Sequence, residues 1–281
     1  MPQIDKQTSV GGPVKGKPGG VLSRIKPIKQ TVGALRMSLY GRPKSGKTRL
    51  ACTFPKPLLV IGSEDGTASV VGVKGADFVH LVRTDEIYEI AEGPLAAGKY
   101  VTVVMDNGTK LRDMRVQELW DSRGGVIPER KPFLFADKQW KEVWTQCSND
   151  IRNLLRPLLD LARKGVNVVL IAQEQDYSGD GQTVSDLITP TIGPALGKAV
   201  CDWVNAECDY VGQTLIREQT RITEPIPGQK ISVGTGKKEY CLRVAPHEVY
   251  QAGFRVPLGR TLLQEFIVDP DYAKIMKVIQ G

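Results

Sequence analysis

The stretch Gly41-Arg42-Pro43-Lys44-Ser45-Gly46-Lys47-Thr48 constrains this chain more than any other. It fits G-x-x-x-x-G-K-[ST], the pattern of a phosphate-binding loop. The residue types explain the chemistry. Gly41 and Gly46 lack a Cβ, so the backbone can take positive φ and let a ligand come close. Successive N–H groups then point into one concavity suited to an anion. A helix opened by the loop adds a partial positive charge at its N-terminus. Lys47 is expected on the outer phosphates of a nucleoside triphosphate and the Thr48 hydroxyl on Mg²⁺. With average residue frequencies the pattern arises by chance in about one in a hundred chains of this length. The competing reading is a glycine-rich surface turn. Context argues against it, because strand-like Leu35-Arg36-Met37-Ser38-Leu39-Tyr40 precedes the loop. Arg49 to Phe54 can continue a helix as far as Pro55.

The rest of the chain has room for one large domain with extensions: 281 residues, 41% apolar and 25% charged. No run reaches 18 apolar residues, and the N-terminus lacks an apolar stretch of signal-peptide type. Five scattered cysteines with no C-x-x-C pair suggest neither a zinc site nor a disulfide framework. A cytoplasmic protein is the expectation. Net charge is +7, which points weakly to a polyanionic partner such as nucleic acid. Residues 1–31 carry six lysines or arginines against one acid, Asp5, and read as a flexible basic arm. An ATPase domain over 32–260 and a C-terminal tail with a helix over 261–281 complete the expected division.

From about residue 35, short apolar runs alternate with helical stretches. Strands are expected at 57–62, 78–83, 101–106 and 166–172, the last ending at Gln173. Val101-Thr102-Val103-Val104-Met105-Asp106 is apolar on both faces, as a parallel strand covered by helices should be. Helices are expected at 86–92 and 110–121. A long one is expected where Trp140, Val143, Trp144, Cys147, Ile151, Leu154, Leu155 and Leu158 recur at spacings of three and four. Its tryptophans read as core, and Pro157 as a possible kink. Residues 122–137 and 174–193 read as loops, 194–206 as a helix. Strands at 210–216, 239–244 and 249–256 and a terminal helix at 272–279 follow. The fold class is α/β, with a mostly parallel central sheet and a C-terminal antiparallel extension.

A bound nucleoside triphosphate needs a second metal anchor, and Asp106 closes an apolar strand as such an acid would. The alternative is a turn, since Asp106-Asn107-Gly108 also has turn chemistry. Hydrolysis needs a group that orients or deprotonates water. The position after Asp106 is Asn107, so the base must come from elsewhere. Glu64, followed by Asp65, sits just past the second strand at the carboxyl edge of the sheet, where ligands of open α/β sheets bind. Glu64 is the expected base, against the alternative of a solvated acidic turn.

This arrangement resembles the RecA-like ATPase core, in which the catalytic Glu follows the strand after the phosphate-loop helix. The matching stretch here is Gly62-Ser63-Glu64-Asp65. The resemblance implies a sensor role for Gln173, in Leu170-Ile171-Ala172-Gln173, reporting the γ-phosphate to the loop Glu174 to Thr191. In RecA-like recombinases that loop contacts single-stranded DNA, and Tyr177 is the aromatic that would stack on a base here. More closely, residues 35–257 are similar to the short RecA-like ATPases encoded by bacteriophages, some of which are single-strand annealing recombinases. The phosphate loop, Ser63-Glu64-Asp65-Gly66, the Trp-bearing helix, Gly193-Pro194-Ala195-Leu196-Gly197-Lys198 and Cys208-Asp209-Tyr210-Val211 carry the similarity. The family's Lys-x-Arg pair reaches a neighbouring subunit's nucleotide. Gly253 stands where the Lys would be, and Arg255 keeps the Arg.

The resemblance implies ATP and Mg²⁺ as cofactors and a homo-oligomeric ring or filament. It also implies single-stranded DNA and a single-strand DNA-binding protein as partners, in a host cytoplasm. Two other readings stay open: a P-loop kinase of a nucleotide or other small metabolite, although residues 122–137, which hold Arg123, Arg130 and Lys131, show no compact lid pattern, and a nucleotide-gated assembly or packaging protein.

Overall fold

The computed structural model describes residues 33–63, 71–124, 138–178, 191–226, 228–257, 262 and 264–281. Ten strands form one sheet: β1 (Arg36–Gly41), β2 (Leu58–Gly62), β3 (Ala76–His80), β4 (Thr102–Asp106), β5 (Asn167–Asp176), β6 (Ile192–Pro194), β7 (Tyr210–Ile226), β8 (Gln229–Arg243), β9 (Gly253–Phe254) and β10 (Phe266–Val268). Their order is β10-β8-β7-β1-β5-β4-β2-β3, with β6 on β5 and β9 on β7. From β7 to β3 every neighbouring pair is parallel. Pairs involving β6, β8, β9 and β10 are antiparallel. This is the fold class the sequence implied, a RecA-like P-loop core with an antiparallel extension.

The central strands are apolar on both faces because helices cover both. Alternate residues go to opposite sides, as strand geometry requires. Tyr40, Ile61, Val103, Met105, Val168 and Leu170 face α2 (Glu86–Ile90), α3 (Gly108–Asp121), α4 (Lys138–Asp160) and α5 (Lys198–Glu207). Met37, Leu39, Val60, Val104, Val169 and Ile171 face α1 (Lys47–Ala51) and α6 (Tyr272–Gln280). The expected face of α4 is buried from Trp140 through Leu158, apart from half-buried Trp144, and the helix runs on through Pro157. Trp120, Trp140 and Trp144 pack edge to face in a chain across α3 and α4, with Trp140 in the core and the other two half-buried against it.

Several boundaries differ from the sequence reading. The third strand starts two residues earlier and ends three residues earlier, at Ala76–His80. α5 starts at Lys198 rather than near 194, because Gly193 and Pro194 belong to β6. β5 does not stop at Gln173: Glu174 to Asp176 continue it by pairing with β6. The hairpin strands β7 and β8 extend far beyond 210–216 and 239–244, since their outer halves pair with each other through exposed, mixed-polarity residues that carry no apolar run. Only Gly253 and Phe254 of the expected strand 249–256 pair with β7. Among the described residues no helix is long and apolar enough to cross a membrane.

Candidate functional site

The loop after β1 has the geometry its glycines foretold. Lys44 and Gly46 take left-handed φ of 65° and 89°, so the chain turns back on itself before α1 begins at Lys47. Gly41 is packed against β7, where a Cβ would lie 2.3 Å from the Thr214 carbonyl oxygen. Thr214 donates its hydroxyl to Tyr40 O (3.2 Å), and the buried Ser45 hydroxyl lies 2.6 Å from the Thr214 hydroxyl. The loop is therefore fastened to β1 and β7 from below. Lys47 Nζ donates to Gly41 O and Arg42 O, both at 2.8 Å, which holds the ammonium across the mouth of the loop. Burial pushes this ammonium below the ordinary lysine range, and the charges of Asp106 and Glu174 pull it back up.

Asp106 ends β4, two strands from β1, with β5 between them. The Thr48 hydroxyl nevertheless donates to Asp106 Oδ2 at 2.6 Å. Strand order and loop thus bring a hydroxyl and a carboxylate together across 58 residues of sequence. Asn107 is not in a free turn. Its side chain caps α3 by accepting from Lys110 N (2.8 Å). Ser63, at the end of β2, donates its N–H to Asp106 O (3.1 Å) and its hydroxyl to Asn107 O (3.0 Å). Glu64, the expected base, lies outside the described residues, as does the loop 179–190.

Gln173 sits in register with Gly41, at the carboxyl edge of β5 between the phosphate loop and Asp106. Its N–H is taken by the Thr109 hydroxyl (3.0 Å), near the start of α3. The next residue, Glu174, is an acid the sequence reading overlooked. One oxygen accepts from Arg42 Nε of the loop (3.3 Å), the other from Gln213 Nε2 on β7 (2.8 Å). Gln213 in turn accepts from Arg243 Nε (3.1 Å), and Arg243 pairs with Glu265. Arg243 is buried between the Tyr250 and Phe266 rings, 4.7 and 4.6 Å from their centroids. A polar chain therefore runs from the phosphate loop to the rim of β10. Only the β1–β5, β1–β7 and β7–β8 adjacencies reveal it, and no local motif encodes those.

One sequence expectation meets a different geometry. Tyr177 is not a platform for a base: β5 continues past Gln173, so Tyr177 turns inward, buried in the core with its hydroxyl on Pro194 O (2.5 Å). Arg255 lies at the opposite edge of the sheet from its own chain's phosphate loop, because β9 pairs with the start of β7. Four strand residues separate those levels, about 13 Å. Its guanidinium donates to Asp209 Oδ1 (2.8 Å) and Ala206 O (3.1 Å), and the side chain is 62% exposed. Asp209 also holds Arg36 at 2.9 Å.

The donor set suits a magnesium nucleotide. A hydroxyl and a carboxylate are hard oxygen ligands, an ammonium stands beside them, and the glycine loop leaves its backbone approachable. No curated protein is detectably similar in sequence. A solved structure with a similar course is the flagellar accessory protein FlaH from Methanocaldococcus jannaschii, at 8% identity and a TM-score of 0.41, covering 85% of each chain. A family described as AAA domain matches residues 34–256, a span that includes the phosphate loop, Asp106 and the parallel sheet. The chain therefore belongs to the AAA domain family and is a nucleotide-binding P-loop ATPase domain.

Proposed function

We propose that this chain binds ATP with Mg²⁺ at Gly41–Thr48, hydrolyses it, and uses the cycle to act on single-stranded DNA in phage recombination, annealing or replication. The observation that carries the nucleotide half is the 2.6 Å contact between Thr48 and Asp106 beside Lys47. Thr48 and Asp106 would hold the metal, which when bound neutralises charge on the β- and γ-phosphate oxygens. Lys47 binds the outer phosphates, exchanging its bonds to Gly41 O and Arg42 O for bonds to phosphate. Glu64 is the proposed base. Its predecessor Ser63 is tied to Asp106 and Asn107, which supports that role. Gln173, level with Gly41, is the proposed sensor.

The DNA half is supported by the net charge of +7, by the basic segment 1–31 and by the resemblance to phage annealing ATPases. A ring or filament would let the exposed Arg255 of one subunit reach its neighbour's nucleotide, and a host cytoplasm would supply a single-strand DNA-binding protein as partner. The test is ATP turnover with and without single-stranded DNA, beside gel shifts on single- and double-stranded DNA. Turnover stimulated several-fold by single strands is expected. Turnover indifferent to DNA, with no shifted band, would sink the DNA half. Lys47→Ala should weaken ATP binding about ten- to hundredfold while the melting temperature holds, since one charged hydrogen-bond donor is lost. Unchanged ATP affinity in that variant would sink the nucleotide half.

A further inference from the structure

Glu174 is a carboxylate with no part in the phosphate and metal contacts above. It is the first residue of β5 beyond the pairing with β1, and its side chain is only 14% exposed. An acid in such a place costs free energy unless donors meet it. Two do: Arg42 Nε of the phosphate loop on Oε1 (3.3 Å) and Gln213 Nε2 of β7 on Oε2 (2.8 Å). The two donors differ in kind. Gln213 is buried, and its own side-chain oxygen accepts from Arg243 Nε (3.1 Å). Arg243 is in turn buried between the Tyr250 and Phe266 rings and paired with Glu265. The Arg42 side chain, by contrast, is 85% exposed, and among the described residues its terminal nitrogens meet no acceptor. The carboxylate is therefore fixed from behind by buried groups and holds an exposed cation in front. That cation belongs to the residue whose carbonyl accepts from Lys47 Nζ. Burial and Asp106 act most on the Lys47 ammonium, and the Glu174 charge acts on it next.

Resting on the nucleotide reading above, we propose that Glu174 is a positioning residue: anchored by Gln213 and Arg243, it holds the Arg42 guanidinium at the phosphate loop as a second cation, beside Lys47, for the phosphates of the nucleotide. A guanidinium presents its N–H donors in a rigid fork, so one bond to Glu174 leaves the others for phosphate oxygens. A long exposed side chain ordered only when the ligand arrives costs entropy, and one already held avoids that cost. The pair also settles a conflict of charge. A bare carboxylate beside the loop would repel phosphates, and Arg42 neutralises it. A purely structural role fits less well. An ion pair with one side chain this exposed adds little stability, and Thr214 already fastens the loop to β7.

The experiment is calorimetric titration of the full chain with the magnesium complex of a non-hydrolysable ATP analogue, for wild type, Arg42→Ala, Glu174→Gln and the double variant, in low and high salt. Arg42→Ala should bind about tenfold more weakly, because a cation is lost and Glu174 is left bare. Glu174→Gln should stay within about threefold of wild type, since lost positioning and relieved repulsion oppose each other. The double variant should then bind better than Arg42→Ala alone, the loss of Arg42 costing about threefold or less once position 174 is neutral. The Arg42→Ala loss should also shrink in about 1 M salt, where charges are screened within about 3 Å, whereas a loop displaced by a missing staple would stay displaced. Equal cost of losing Arg42 in both backgrounds would overturn the inference, and so would a loss that ignores salt. Arg42→Ala changes an exposed side chain, so unaltered affinity in it would overturn the inference even where Glu174→Gln is unstable. The nucleotide reading would stand in each of these cases. Wild type that does not bind the analogue would overturn the nucleotide reading and this inference with it.

Discussion

A methyl group on Gly41 would meet the Thr214 carbonyl oxygen at 2.3 Å and its hydroxyl at 2.5 Å, both on a neighbouring strand that has no room to retreat. Gly41→Ala should therefore cost about 2–3 kcal/mol of stability by overpacking, read as a shifted urea midpoint, and should lower nucleotide affinity by displacing the loop. An unchanged midpoint would mean that β7 yields there. At this scale the sequence is most informative where the physics is local. The two glycines, Lys47 and Thr48 sit at fixed offsets along one loop, and the roles proposed for them follow from spacing. Asp106 was legible because it ends an apolar strand. Glu174, Gln213 and Arg243 were not legible, since each acquires its partner from a strand far away in the chain.

Asn107 shows how an element decides the meaning of a residue. Read along the chain, it is the place where an adjacent catalytic acid is missing. In the fold it is the N-cap of α3, bonded to Lys110 N, so the residue after Asp106 starts the next helix. Asn107→Ala should cost about 1 kcal/mol and Asn107→Ser about half a kcal/mol or less, measured by chemical denaturation, because serine can still accept from the helix N–H. Equal losses in the two variants would remove capping as the explanation. The helices and buried strands were legible through their periods, 3.6 for α4 and two-sided apolar runs for β2 and β4. The outer halves of β7 and β8 were not. Their exposed residues alternate without an apolar side, so pairing to each other is what makes them strands.

The whole molecule is completed by its C-terminal segment. β10 closes the antiparallel edge on β8, and α6 buries Ile275 and Ile279 against the same core that takes up Leu50, Phe54 and Val104. Ending the chain at Glu265 should leave that core open. The expected product aggregates or lacks a cooperative melt, as circular dichroism and size exclusion would show. Ile275→Ala alone should cost about 2–4 kcal/mol. A truncated chain that melts as the full one does would show the segment to be dispensable. By itself the sequence determined a phosphate loop, its helix and a parallel sheet, because those depend on backbone freedom and side-chain period over a few neighbouring residues. The tertiary structure alone decided that β5 lies between β1 and β4, that Thr48 meets Asp106, that Glu174 faces Arg42, and that Gln213 joins Glu174 to Arg243. Those contacts depend on strand order, which is set by how the apolar faces of distant segments cover one another and not by any spacing along the chain.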